Sequence, residues 1–371
     1  MFESPSILLM IFGFLLVLGP LVVVHEFGHY LVGRWFGVKA DVFSVGFGKE
    51  LAGWTDRRGT RWRLSAIPLG GYVQFAGDLN PASQADAQWQ ALPEAERART
   101  FQSKPLWQRS LIVAAGPATN LIVAIAIFAA FFMAFGKETT PAVIEQFAEH
   151  STAREAGLEV GDRILAINGT EVSSFIDLAR RIELFPGSEA RLTIARDGGE
   201  ETLSVPIAST VVTDRFGNSS RVGRIGIVAQ GMERAGVGPL EAIRLAADHC
   251  MAIIRMMVTG LGQILSGMRS VDELGGPVKI AKYSGEQLSL GPLMFVQFVA
   301  LISINLAFIN LLPIPGLDGG HLAMYAAEAV RRKPLGAKGQ EWAFRTGIAF
   351  VLALTVFITV NDVLSLFISG S

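Results

Sequence analysis

Charge is scarce in this chain. Of its 371 residues only 18% are Asp, Glu, Lys or Arg, against about 25% in soluble globular proteins. The net charge of -1 leaves no basic surplus to neutralise phosphates, which excludes a nucleic-acid partner. Cysteine is nearly absent as well. Cys250 stands alone, so no intrachain disulfide framework exists, and it reads as a small core or lipid-facing residue. The first apolar run lacks the marks of a cleaved signal: it opens with "MFES", carries no positive charge, and no small-residue cleavage site follows. It is expected to be a retained membrane span.

What is abundant is apolar. Half of the residues are hydrophobic and the mean hydropathy is +0.41. Three uncharged stretches, Ser4 to Val24, Leu111 to Phe135 and Leu293 to Pro313, are long enough to cross about 30 Å of hydrocarbon. A fourth, from Thr346 through Val360, is apolar until Asp362 interrupts it. Lys and Arg crowd the segment from Arg34 to Arg109 and again the turn from Arg331 to Arg345, which predicts that both face the cytoplasm. Both termini and the region 137 to 290 then fall on the far side.

Between the first two spans, residues 40 to 76 alternate as strands: "VFSVGFG", a "DRRG" turn, "TRWRLSAI" and "GGYVQFAG". Such a sheet is either a soluble hairpin on the cytoplasmic side or a segment dipping into the membrane. The latter is tolerated only where backbone is buried or lines a wet cavity. From Asp78 to Lys104 the chain turns polar. Residues 137 to 235 read as a separate domain. "DRILAINGTEV" is a hairpin turning at Asn168-Gly169, "SFIDLARRIELF" has helical spacing stopped by Pro186-Gly187, and a second hairpin turns at Asp197 to Gly199. With "AREAGLEVGD" before it, this run resembles a PDZ domain in the permuted bacterial form. An edge strand beside a helix can capture an extended peptide or a free C-terminus. Residues 238 to 290 are helical and apolar but interrupted by charge, as expected of a helix on the membrane surface or packed beside the spans. His249 within it reads as interfacial or structural.

The chemistry begins at the end of the first span. His25-Glu26-Phe27-Gly28-His29 is an H-E-x-x-H pattern. On a helix, positions i and i+4 share a face, so two imidazoles can grip one Zn²⁺ while Glu26 reaches its water. Ionisable groups at a span's end are costly in lipid, which points to function. A catalytic zinc needs a third protein ligand and one open position. His150 and His321 are candidates, but the strongest is Asp318 in "SINLAFINLLPIPGLDGGHLAMY", where Pro313 and Pro315 break the helix and free the backbone to approach a metal. His321 then reads as a supporting residue. Asn305 and Asn310 lie in the same apolar stretch and either donate to a substrate carbonyl or serve interhelical packing.

Taken together, the chain resembles the site-2 proteases, intramembrane zinc metalloproteases, and within them the bacterial regulator-of-sigma-E-protease branch. The resemblance spans nearly the whole sequence. It rests on "HEFGH", "PLGGYV" at 68 to 73, "GPATN" at 116 to 120, the PDZ-like insertion and "NLLPIPGLDGG" at 310 to 320. It implies His25, His29 and Asp318 as Zn²⁺ ligands and Glu26 as catalytic base. It also implies Asn310, Asn305, Gly70, Gly71 and Tyr72 beside the substrate, and a β segment that re-enters the membrane.

The fold so implied is a polytopic α-helical membrane protein with four transmembrane helices, a cytoplasmic-side membrane-reentrant β segment and an inserted extracytoplasmic PDZ (α+β) domain. Its expected parts are helix one with H-E-x-x-H (1–36), β segment and polar loop (37–105), helix two (106–136), PDZ domain (137–235), membrane-surface helical segment (236–290), helix three with Asp318 (291–330), cytoplasmic turn (331–345) and helix four (346–368). The implied role is regulated intramembrane proteolysis in the bacterial inner membrane. Its partners would be single-span substrates such as membrane-anchored anti-sigma factors already cut once, or remnant signal peptides. One departure stands out: well-known members of the branch carry two PDZ domains in tandem, and only one is legible here. The alternative class is a membrane-embedded PDZ scaffold with a structural metal. A transporter, which would show inverted repeats, has no such symmetry here.

Overall fold

The computed structural model describes residues 5–77, 93–213, 219–229, 233–268, 275–333 and 336–368. The chain divides into two compact units, one made of 3–128 with 274–368, the other of 129–273.

The first unit opens with α1 (Ile7–Trp35), begun by Ser6, whose side chain accepts the Leu9 N–H. Ile7, Leu8, Ile11, Phe12 and Trp35 are exposed, and the helix is apolar on every side, the pattern of a helix solvated by lipid. Two long strands follow, β1 (Ala40–Thr55) and β2 (Arg61–Phe75). Asp56 closes the turn between them by accepting the N–H groups of Arg58 and Thr60 and the Trp62 indole N–H. The strands double back, so the first half of β1 has partners on both sides: Val42 faces both Arg61 and Gln74, and Phe43 faces both Trp62 and Val73. Residues 71–75 therefore form an edge. Phe43, Trp62 and Tyr30 of α1 pack together beneath this sheet, Tyr30 edge to face against the other two, with ring centroids 4.5 to 5.8 Å apart. Of the polar stretch that begins at Asp78, residues 78–92 lie outside the described residues, and Glu94–Arg97 forms the single turn α2. Helix α3 (Leu106–Phe135) leads out of this unit.

The second unit carries β3 (Lys137–Thr139), β4 (Gln146–Phe147), α4 (Thr152–Glu155), β5 (Arg163–Ile167), β6 (Thr170–Glu171), α5 (Phe175–Glu183), β7 (Glu189–Arg196), β8 (Gly199–Pro206), β9 (Ala208–Thr213), β10 (Ser219–Arg224), β11 (Ile227–Val228), β12 (Glu233–Ala235) and α6 (Pro239–Leu265). Its main sheet runs β6-β5-β7-β8. Both hairpins turn as their residues require: Asn168-Gly169 and Asp197-Gly198 all have positive φ. Strands β3 and β12 pair, bringing the two ends of the inserted domain together. Ile144, Ile164, Leu178, Leu192, Ile194 and Val205 are fully buried at its centre, each contributing about 1.5–3 kcal/mol. A groove of about 630 Å³ lies between α5 and the chain from Gly223 to Val228, with His150 at its rim.

The chain then returns to the first unit through α7 (Pro277–Ser289), α8 (Pro292–Leu311), α9 (Asp318–Arg331) and α10 (Ala337–Ile368). Of the two expectations for 238–290, α7 follows the one of a helix packed beside the spans: Gly13 of α1 and Gly285 of α7 face each other's backbone, where an added Cβ would sit 2.8 Å from Ser284 and 3.0 Å from Met10. Small residues allow that approach where lipid supplies no hydrophobic drive. Helix α10 starts at Ala337, within the expected cytoplasmic turn.

Among the described residues five helices, not four, are long and apolar enough to cross a membrane; the additional one is α6. The charges that argued against a span there, Glu241, Arg244 and Asp248, gather in its first turns, and Arg255 is the one charge from His249 to Leu265.

Asp162 ties the inserted domain together. It is buried, accepts the Glu159 N–H, and takes a two-pronged ion pair from Arg196 at 2.6 and 2.8 Å. The hydrogen bonds and charge of Arg196 hold its carboxyl below the usual aspartate range. A depressed carboxyl stabilises the fold above its unfolded pKa, about 3.9, and that contribution is lost as pH falls through the folded value. Asp162→Asn is expected to cost about 1–3 kcal/mol at neutral pH. Limited proteolysis of the 137–235 region against temperature should show the loss at pH 7 and a difference from wild type that shrinks as pH falls below about 3.9.

Candidate metal centre

Helix α1 presents His25 and His29 on one face, one turn apart. Asp318 reaches them because the chain breaks between α8 and α9. Pro313 and Pro315 interrupt the helix, and two glycines press the first turn of α9 onto the broken segment. An added Cβ at Gly319 would fall 2.3 Å from the Leu311 carbonyl, and one at Gly320 2.3 Å from that of Ile314. With those faces packed, the first turn projects Asp318 and His321 the other way.

The result is a tight triad. His25 Nε2 lies 3.2 Å from His29 Nε2, and Asp318 Oδ2 lies 3.1 and 3.6 Å from the two nitrogens. Donors bound to one tetrahedral Zn²⁺ at about 2.0–2.1 Å stand about 3.4 Å apart, so the spacing fits that ion. Asp318 Oδ2 is buried yet receives no hydrogen bond of good geometry, as a metal-binding oxygen would be left. These three are the residues that could hold a metal among the described residues.

Helix α3 forms the back wall, with three positions four residues apart. The Ile112 carbonyl accepts from His29 Nδ1 at 2.8 Å, which leaves Nε2 unprotonated for a metal. Gly116 leaves room for the rings: a Cβ there would sit 2.3 Å from His29 Nε2 and 2.8 Å from His25 Cε1. Asn120, fully buried, has its amide 3.3 Å from His25 Nδ1, while its Oδ1 is buried with no partner. Turning the amide over satisfies both, Nδ1–H donating to Oδ1. Ser303 of α8 donates to the Asn120 carbonyl at 2.7 Å. Gly28 lets α1 and α3 touch, since a Cβ there would lie 2.3 Å from Thr119 Oγ1. Farther along, Arg109 of α3 pairs with Glu328 of α9 at 3.5 Å and lies 5.0 Å over the Tyr325 ring.

In front of the triad is a cavity of about 690 Å³. Glu26 enters it and accepts the Val73 N–H at 3.2 Å, so the edge of β2 runs past the site. Gly71, Tyr72, Asn310 and His321 also line it. Gly70 does not; it lies under Phe47, whose ring an added Cβ would meet at 2.5 Å. Asn305 is half-buried elsewhere on α8. Five residues along a helix turn through about 140°, and of the two only Asn310 lines the cavity. His150 is placed in the other unit, at the groove.

Peptidase family M50 matches residues 13–354. The chain belongs to peptidase family M50. This is the site-2 protease family, and the resemblance read from the motifs therefore holds. An Agrobacterium fabrum protein provisionally named as a zinc metalloprotease is 44% identical over 95% of both chains. A Rhizobium meliloti protein of the same provisional name is 43% identical over 95% of this chain and 96% of its own. Metalloprotease MmpA of Caulobacter vibrioides is 36% identical over 96% and 95%. Among solved structures, the PDZ domain of a Listeria monocytogenes SdrC-like protein matches 25% of this chain and 92% of its own, at 19% identity and a TM-score of 0.20. The M50 chain described here is thus a zinc metalloprotease, and its apolar helices mark it as a multi-pass membrane protein.

Asn120 and Gly116 follow from the geometry of this family's metal centre. Asn120→Ala is expected to weaken zinc binding about 10- to 100-fold, and Gly116→Ala to abolish it, both read by zinc content after dialysis against a chelator.

Proposed function

We propose that this M50 enzyme is an intramembrane endopeptidase that cuts transmembrane segments of single-span proteins. Its substrates are membrane-anchored anti-sigma factors after a first cut outside the membrane, with remnant signal peptides a second class. The observation that carries this reading is the convergence of His25, His29, Asp318 and Glu26 on one cavity bordered by the edge of β2.

When bound by His25, His29 and Asp318, zinc supplies a Lewis acid that acidifies water and polarises a carbonyl. Three protein ligands leave the fourth position open, as catalysis needs and a structural site does not. Glu26 is the base: its carboxylate takes the proton of the attacking water and returns it to the departing amide nitrogen. The Asn310 amide donates to the substrate backbone. A helical substrate hides its carbonyls in i to i−4 bonds and must unwind first. The cavity-lining edge of β2 at Gly71 and Val73 replaces those bonds by holding the unwound segment as an added strand. Phe47, Tyr72, Phe75 and Phe101 give the cavity an apolar aromatic wall, suited to side chains from a membrane span.

The chain sits in the bacterial inner membrane with the catalytic groups near the cytoplasmic side and the 137–235 domain in the periplasm. That domain is a PDZ module, and its groove along α5 either binds a newly exposed C-terminus or screens substrates by bulk. With one such domain, the filter is built from this groove alone.

Glu26→Gln is expected to retain zinc and lose at least about 100-fold in cleavage of a co-expressed tagged single-span protein. Undiminished cleavage would show that Glu26 is not the base and would overturn this mechanism. Replacing a mid-span Gly or Pro of a cleaved substrate by Leu should slow the cut, because the helix becomes harder to open; an unchanged rate counts against strand addition. Deleting residues 140–230 should release cleavage of an untrimmed substrate, seen by immunoblot.

A further inference from the structure

His321 is the one histidine of the metal-centre cavity that the triad leaves unused. It lines the same space as Glu26, Asn310 and Asp318 and lies three residues after Asp318 on α9, hence on the same helix face. The close packing of Gly319 and Gly320 against 311–315 fixes that face toward the cavity. The rings of His25 and His29 each have Nδ1 held by α3. The His321 ring stands 6.4 Å from that of Tyr325 and within electrostatic reach of Asp318 and His29, with no hydrogen bond to it found among the described residues. Tyr325 is itself buried beneath Arg109, so the His321 ring has a fixed neighbour on one side and the cavity on the other.

We infer that His321 is a catalytic residue whose imidazole N–H hydrogen-bonds the scissile carbonyl oxygen as negative charge builds on it. In a cleft walled by Phe47, Phe75, Phe101, Val113 and Leu317, a preset donor acts in low dielectric, where such a bond strengthens between ground state and transition state. Glu26 and His321 then divide the work. Glu26, on α1, handles the proton of the water, and His321, on α9, receives the charge displaced onto oxygen. The bond formed is from water oxygen to carbonyl carbon, and the bond broken is the peptide C–N. His321 gains and loses no proton. This assignment rests on the metal-centre reading above.

The test compares wild type, His321→Ala, His321→Gln and Glu26→Gln in detergent, using a fluorogenic single-span peptide, its phosphinic analogue and zinc content by mass spectrometry. His321→Ala should lose about 100- to 1,000-fold in kcat, the loss seen when one such donor is removed, with KM and bound zinc unchanged. Affinity for the phosphinic analogue, whose tetrahedral P–O⁻ imitates the developing charge, should fall in parallel. His321→Gln keeps a donor and should recover part of the rate; if the alanine variant does not accumulate, the glutamine variant is read by the same criteria. A kcat within twofold of wild type, a change confined to KM, or a loss of zinc each overturns the inference. Full activity of Glu26→Gln would sink the metal-centre reading, and this inference with it. An inactive Glu26→Gln beside an unaffected His321→Ala sinks this inference alone.

Discussion

The constraint on which the rest depends is the approach of one carboxylate to two imidazoles contributed by a distant helix. Asp318 stands 289 residues beyond His29 in the chain, and it arrives at 3.1 to 3.6 Å from the ring nitrogens because the helix before it stops. An unbroken helix through 291–330 would carry Asp318 past the site. The prolines end α8, the glycines fold the restart of α9 tightly onto the break, and the first residue of the new helix points at the histidines. A carboxylate and two imidazoles grouped in an apolar surround are costly, and a shared cation is the compensation their geometry admits.

Around that meeting the helices approach through missing side chains. Gly28 against Thr119, Gly116 against the two rings, and Gly13 and Gly285 against each other's backbones replace bulk with contact. In lipid, where apolar burial between helices drives little, close van der Waals packing and specific hydrogen bonds must hold the bundle. The polar contacts here serve the site: the Ile112 carbonyl and Asn120 orient the ligand rings, Ser303 braces Asn120 from α8, and Arg109 clamps α9 through Glu328. The wall that completes the cavity is not helical. Its residues along the edge of β2, from Gly71 to Phe75, line the cavity. Glu26, the triad and the edge of β2 thus all open onto one cavity inside an apolar unit.

The inserted unit obeys the rules of soluble domains: period-two strands, glycine at the positive-φ corners, a core of Ile and Leu, and a buried carboxylate paired with arginine. Its ends are closed by the pairing of β3 with β12, so a domain of this kind can be carried between two membrane helices without disturbing either.

Local chemistry carried much of this into the sequence. Histidines four apart show that they share a helix face, Asn-Gly and Asp-Gly announce hairpins, and prolines before "LDGG" announce the break that frees Asp318. Other features were not legible because they are relations between distant residues. Nothing in "GPATN" says that its glycine vacates space for two imidazoles or that its asparagine orients one of them. Asn305 and Asn310 look equivalent until the helix phase turns only the second to the cavity. A charged stretch such as 277–289 reads equally as a surface helix or one packed beside the spans until Gly13 and Gly285 let it pack on α1. The sequence by itself determined the chemical parts and where each helix begins and breaks, since those depend on neighbours a few residues away. Only the tertiary structure decided which parts meet, because ångström-scale approach across helices depends on the side chains that are absent as much as on those present.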